Sequence, residues 1–283
     1  MKIFLTGADG FTGRYFADRA TAAGHDVIPM QADLTNREML EREVLAVQPD
    51  VVVHLAAISF VGHADYSAFY AVNVVGTTNL LEALTRLPSA PHRVLLASSA
   101  NIYGNSEQSP LAETQPPAPV NHYAMSKLAM EYMARTFFDR LNIVVARPFN
   151  YTGRGQDVNF VIPKLAKHFA ERADRIALGN LDVEREFNDL QMVCDAYLYL
   201  MECGRPGEAY NVCSGQPHTL REVIRCFERL TNHRMDVEIN PAFVRKNEVH
   251  RLCGSPDKLS ALLRDCGFDM AFPPLESTLT RML

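Results

Sequence analysis

Tyr123 and Lys127 stand one helical turn apart in Tyr123-Ala-Met-Ser-Lys127, so a phenol and an ammonium share one helix face. A free tyrosine titrates near about 10, a poor match to neutral pH. A neighbouring ammonium favours the phenolate and is expected to lower that value. Such a pair can exchange a proton with a carbonyl or alcohol oxygen. Upstream, Val94-Leu-Leu-Ala-Ser98-Ser99 is an apolar run that ends in two hydroxyls. Ser99 can donate a hydrogen bond to the same oxygen, with Ser98 as the second candidate. Proton transfer on a carbonyl implies a hydride source, and the N-terminus offers a place for one.

The chain opens Lys2-Ile-Phe-Leu-Thr6 and runs into Gly7-Ala-Asp-Gly10-Phe-Thr-Gly13. A glycine triplet between a strand and a helix lets the backbone approach a pyrophosphate, which then meets the free N–H groups of the helix N-terminus. Gly7, Gly10, Phe11, Thr12 and Gly13 are the expected contacts. An acid at the end of the second strand would bind the ribose 2′-hydroxyl of NAD. That strand ends Ile28-Pro-Met-Gln31, without one. NADPH is therefore expected to serve at least as well as NADH, with Arg14 facing the 2′-phosphate. Asp33 and Leu34 are placed near the adenine. His54-Leu55-Ala56-Ala57 puts small residues where a cofactor can lie close. Lys127 can also hold the nicotinamide ribose hydroxyls.

These groups need a scaffold, and the first half supplies a regular one. Apolar runs at residues 3–5, 27–30, 51–55, 94–97 and 143–146 alternate with helical patterns at 14–23, 39–47, 68–87 and 123–140. Alternation of this kind predicts an α/β, Rossmann-type doubly wound parallel sheet with helices on both faces. After Arg147-Pro148 the texture changes to longer polar loops, with helices expected at 161–172, 190–202 and 220–230 and strands at 210–212 and 237–239. Residues 1–150 are read as the dinucleotide-binding domain. Residues 151–283 are read mainly as a smaller substrate-binding lobe, with some segments returning to the first.

The net charge of −5 gives no support for nucleic-acid binding. No apolar stretch approaches the roughly 20 residues of a membrane span, and no signal peptide is read at the N-terminus. The six cysteines include no C-x-x-C pair, which argues for reduced thiols and no metal. A cytoplasmic protein is expected.

With these motifs in hand, the chain resembles the extended short-chain dehydrogenases/reductases that epimerise, dehydrate or reduce nucleotide sugars. The likeness rests on the glycine loop, His54-Leu-Ala-Ala57, Asn73-Val-Val-Gly76-Thr77, Ser98-Ser99-Ala-Asn-Ile-Tyr-Gly104, Tyr123-x-x-x-Lys127 and Arg147-Pro-Phe-Asn150. It implies that Asn73 orders the active-site helix and that Ser59 and Val61 line the hexose. Asn150, Arg185 and Arg245 would hold the diphosphate, Glu248 the nucleotide ribose, and Phe160-Val161-Ile162-Pro163 would flank the base. It also implies a homodimer through the helices at 68–87 and 123–140. Within this family the second half is similar to GDP-6-deoxy-4-keto-D-mannose reductases, which implies a GDP-linked 4-keto-6-deoxyhexose as substrate and GDP-D-rhamnose as product. Ala100 and Asn101 stand where dehydratases carry an acid/base pair, which argues against dehydration. No cysteine precedes residue 194, which argues against a 3,5-epimerase. A 4-epimerase and a reductase giving GDP-6-deoxy-D-talose stay open, as does a non-catalytic dinucleotide sensor.

Overall fold

The computed structural model describes residues 1–59, 65–244 and 249–283. Its centre is a parallel six-stranded sheet of β1 (Lys2–Thr6), β2 (Asp26–Pro29), β3 (Val51–His54), β4 (Arg93–Ala97), β5 (Ile143–Pro148) and β10 (Ala209–Val212). The order is β10-β5-β4-β3-β1-β2. The apolar runs form strands because both of their faces find a cover, as a parallel sheet requires. Alternate side chains part to opposite sides. Ile3, Leu5, Val51, Val53, Leu95, Val144 and Ala146 pack toward α1 (Phe11–Ala22), α7 (Leu190–Cys203) and α9 (Asp257–Asp265). Phe4, Val52, Val94, Leu96, Ile143 and Val145 pack toward α2 (Arg37–Val47), α4 (Thr77–Leu84) and α5 (His122–Ala134). The doubly wound α/β expectation is met. The chain steps from β1 out to β2 and then back past β1 to β3, so the carboxyl ends of β1 and β3 border the switch-point crevice.

One element differs from the sequence reading. A single helix over 68–87 was the expectation. The structure has α3 (Tyr66–Tyr70), a π-helical segment at Ala71–Gly76, and then α4. Apolar periodicity does not reveal an inserted residue, but two contacts account for it. The Asn73 side chain turns inward to the Ile58 backbone, and Gly76 lies so close to Leu34 that an added Cβ would sit 2.9 Å from the leucine Cβ. Such π turns collect at functional sites. Likewise α5 stops at Ala134 and continues as a 3₁₀ turn, Arg135–Phe137, short of the expected residue 140.

The second half builds a smaller core. β7 (Arg175–Leu178) pairs with β12 (Asp236–Ile239), beside α6 (Val161–Ala170) and α8 (Leu220–Thr231), whose Phe169 and Phe227 rings stack at 5.3 Å. β8 (Glu184–Glu186) joins β11 (Pro217–Thr219) and β13 (Arg251–Leu252), while β6 (Tyr151–Thr152) pairs with β9 (Asn188–Asp189). α10 (Leu275–Thr280) packs on α8 and β9. The chain also returns: α7 and β10 belong to the large sheet and its cover. Among the described residues no helix is long and apolar enough to cross a membrane, and the six cysteines are free thiols.

Candidate active site

The glycine loop sits at the switch point, and the geometry explains its composition. Gly7 has φ +71°, and a Cβ there would lie 2.7 Å from the Ala56 nitrogen at the end of β3. A Cβ on Gly13 would lie 2.0 Å from the Gly7 carbonyl, so the first turn of α1 rests directly on the loop. Gly10 caps α1 without a side-chain acceptor, and no acid occupies the first turn. The first-turn amides of a long helix are thus left for an external anion. Nearby, the Ser98 Oγ is buried and has no hydrogen-bond partner. An uncapped helix end, a loop with no room for side chains and an orphaned hydroxyl at the end of β4 fit a dinucleotide. Phe11 stacks on Tyr151 and Thr12 hydrogen-bonds its hydroxyl at 2.8 Å, tying this loop to the second half.

Around the rim, Arg14 is exposed and donates to the Asp9 carbonyl at 3.1 Å. Asp33 is exposed, and two bonds from Thr35 hold its carboxyl below the usual range, the backbone one foremost. Leu34 turns its side chain into the core and is 4% exposed, so only its backbone can face a ligand. Leu55, Ala56 and Ala57 are half-buried beside Gly7. One group escaped the sequence reading. Glu43, from α2, accepts from the amides of Gln31 (2.8 Å) and Ala32 (2.7 Å), bringing a carboxylate to the end of β2 that strand spacing could not reveal.

Buried hydrogen bonds hold the β3 end. Thr77 donates its hydroxyl to the Asn73 carbonyl (2.8 Å), so it must accept from His54 Nε2 (2.8 Å). His54 Nδ1 then accepts from Thr6 (2.7 Å), whose oxygen accepts from the Ala56 amide (3.1 Å). The imidazole is neutral; burial, aided by the Lys127 charge, pushes its pKa down to about 3. Asn73 adds a second tie, accepting from the Ile58 amide (2.9 Å) and donating to Ser126 (3.0 Å), which bonds the Tyr123 carbonyl (2.8 Å). The expected link from Asn73 to the helix of Tyr123 therefore runs through Ser126.

Ser99, Tyr123 and Lys127 come together at the carboxyl end of β4. All three are buried, and the Ser99 hydroxyl lies close enough to the Tyr123 phenol to act on its ionisation. Lys127 Nζ donates to the Ala97 carbonyl at 2.7 Å. Burial pushes Lys127 down to about 8, opposed by the Glu131 carboxylate one turn along. Here the structure corrects an expectation. Burial dominates Tyr123 and raises its pKa, with the Ser99 bond acting the other way. Lys127, which donates to Ala97, does not offset that burial. The phenol therefore stays protonated at neutral pH and has a proton available for a ketone oxygen.

Behind Lys127 lies a charge network that the sequence did not reveal. Glu131 takes Arg147 with both oxygens (3.0 and 2.7 Å), and Arg147 reaches the Tyr103 hydroxyl at 2.9 Å. Tyr103 donates to Asn211 at 2.7 Å, and Asn211 donates to the Leu111 carbonyl at 2.9 Å. The Arg147 and Glu131 side chains are 8% and 3% exposed, so this pair is held inside the protein rather than on a rim.

The residues expected to bind substrate are more dispersed. Ser59 is exposed just past β3, and Val161 opens α6 half-buried. Asn150 is exposed after β5, its carbonyl accepting from Asn188 N (2.9 Å) and Nδ2 (3.1 Å). Arg185 donates to the carbonyls of Glu184 (2.8 Å), His250 (3.3 Å) and Val249. Val61, Arg245 and Glu248 lie outside the described residues.

Comparison with known proteins adds the following. The model of the NAD dependent epimerase/dehydratase family matches residues 3–213. A GDP-6-deoxy-D-talose 4-dehydrogenase of Aggregatibacter actinomycetemcomitans is 34% identical, across 100% of this chain and 97% of its own length. A GDP-6-deoxy-D-mannose reductase of Pseudomonas aeruginosa is 35% identical, across 91% and 89%. The solved structure of RMD from Pseudomonas aeruginosa complexed with NADPH matches with a TM-score of 0.90 and 32% identity, covering 99% of this chain and 96% of that one.

Proposed function

The chain belongs to the NAD dependent epimerase/dehydratase family, and from that premise we propose that it reduces the C4 ketone of GDP-4-keto-6-deoxy-D-mannose to GDP-D-rhamnose. It is an oxidoreductase of the extended short-chain type. One observation carries the reading: a buried Tyr123, kept protonated by its burial, grouped with Ser99 and Lys127 next to Ala100 and Asn101, neither of which can act as acid or base. Reduction of a ketone needs a proton donor at oxygen and nothing further from the protein's acid–base groups. The relative named GDP-6-deoxy-D-mannose reductase supports the GDP-linked substrate.

Bound NAD(P)H would supply hydride to C4. Tyr123 donates its proton to the forming alkoxide while Ser99 donates a hydrogen bond to the same oxygen. Lys127 keeps its ammonium on the Ala97 carbonyl and would hold the nicotinamide ribose hydroxyls. Arg185, with Arg245, would grip the diphosphate by paired guanidinium bonds, while Asn150 and Glu248 take the phosphate and ribose and Ser59, Val61 and Val161 line sugar and base. Placement of the sugar in this way supplies proximity. Exposed Val75, Met125 and Tyr132, on the helices expected to pair, support a homodimer.

A second reading concerns only C4 configuration. The relative named GDP-6-deoxy-D-talose 4-dehydrogenase spans the whole chain, which favours the C4 epimer as product. Incubation with the 4-keto sugar nucleotide and NADPH, followed by NMR of the product, decides: C4 coupling constants expected for rhamnose support the first reading, and those for talose replace it with the second.

NADPH is proposed to serve at least as well as NADH. The 2′-phosphate would find Arg14 on the loop rim and no carboxylate on β2 itself, although Glu43 stands at the end of that strand. Arg14→Ala should raise KM for NADPH and leave that for NADH unmoved. A strong NADH preference in the unaltered protein would sink the idea.

A further inference from the structure

We propose that Asn101 is a positioning residue that fixes the direction of the Ser99 hydroxyl. The inference rests on the ketone-reduction reading above and concerns a residue that reading leaves without a task. Ser99 caps the 3₁₀ turn Ala100–Tyr103 and accepts from the Asn101 backbone N at 3.2 Å. Asn101 Nδ2 donates to the same oxygen at 3.0 Å. A hydroxyl has two acceptor sites and one hydrogen. With both acceptor sites taken by one residue, Ser99 can act only as a donor. The acceptor nearby is the Tyr123 phenol, and at 5% exposure Ser99 has little water to turn to instead.

The direction matters for the chemistry. Were Ser99 free to accept, Tyr123 could donate to it, and the tyrosine hydrogen would point at Ser99 and not at the ketone oxygen. With Asn101 in place the chain of donors runs Asn101, Ser99, Tyr123, and the tyrosine O–H is left for the substrate. A donor that is itself accepting hydrogen bonds is polarised and gives a stronger one. When the ketone enters, Ser99 and Tyr123 both present hydrogens to its oxygen, which is where negative charge develops. Asn101 would act only through Ser99 and not on the substrate.

The test uses the full chain, the 4-keto sugar nucleotide and NADPH, with Asn101→Ala, Asn101→Asp, Ser99→Ala and the double variant Ser99→Ala/Asn101→Ala. Asn101→Ala should lower kcat about tenfold, the worth of one net hydrogen bond, with KM for NADPH unmoved. In the Ser99→Ala background it should cost nothing more. Asn101→Asp should lose more at neutral pH, because a carboxylate takes the Ser99 hydrogen and turns it away from Tyr123. It should recover on acidification, when the protonated acid donates as the amide did. Equal losses from Asn101→Ala in both backgrounds, or full activity of Asn101→Asp at neutral pH, would overturn the assignment. A second readout needs no substrate: NMR titration of the Tyr123 phenol, labelled at Cζ, should move upward in Asn101→Ala as Ser99 ceases to be an obligate donor. An unmoved titration contradicts the proposal. Absence of turnover in the unaltered protein would instead count against the reaction, leaving this titration as the arbiter for Asn101.

Discussion

Tyr123→Phe is expected to lower kcat by about a thousandfold, the usual scale for losing a positioned general acid, while the Kd for NADPH stays close to its starting value. The ring and its packing survive the change, and Phe69, which lies 6.2 Å from the Tyr123 ring centroid, keeps its neighbour. Only the hydroxyl that would give its proton to the ketone is lost. Steady-state kinetics with fluorescence titration of NADPH check both parts. The unaltered enzyme should also show an alkaline limb. Lys127 titrates near about 8, so its ammonium is present below that pH and lost above it. The rate should fall as pH rises through that value. Tyr123 itself, raised by burial, remains protonated across the same range.

Glu131→Leu is expected to cost about 3–5 kcal/mol of stability, because it strands the buried Arg147 guanidinium without its carboxylate. Glu131 meets Arg147 with two bonds inside the protein, and the arginine's other partners are the Tyr103 hydroxyl and the Glu113 carbonyl, which are neutral. Pairing Glu131→Leu with Arg147→Met should restore most of the loss, since an apolar pair of similar volume needs no compensation. Urea unfolding of the single and double variants measures this; a single variant within about 1 kcal/mol of the parent, the scale of an exposed ion pair, would contradict it. A kinetic consequence follows in the milder Glu131→Gln. The carboxylate raises Lys127 against the effect of burial. Its removal should move the alkaline limb to lower pH.

What could be read from the sequence was what local spacing encodes. The Gly7-x-x-Gly10-x-x-Gly13 loop follows from a strand meeting a helix, and the shared face of Tyr123 and Lys127 from the helical repeat. The apolar runs forecast the five N-terminal strands of the central sheet, and the short run at 210–212 forecast its sixth. The segments that close the site were less legible because their reasons are long-range. Glu43 reaches the end of β2 from another helix, and Arg147 meets Tyr103 across 44 positions of chain. The π turn at Asn73 arises from an inward side chain that periodicity cannot register. Tyr123 was expected to be held low by Lys127; only the three-dimensional arrangement showed that burial dominates and that Lys127 is occupied by Ala97. The contact between Asn101 and Ser99 was hidden for a related reason, since it is made through a 3₁₀ turn that apolar spacing does not register.

Hydride reduction at C4 of a GDP-linked keto-sugar leaves a label that can be followed directly. The most direct measurement supplies the purified protein with GDP-4-keto-6-deoxy-D-mannose and NADPH carrying deuterium at the transferable position, and follows the product by NMR. One deuterium on C4 is expected for each NADPH oxidised, and none of either with Tyr123→Phe. No NADPH oxidation, together with interconversion of C4-epimeric sugar nucleotides without net consumption of cofactor, would contradict it.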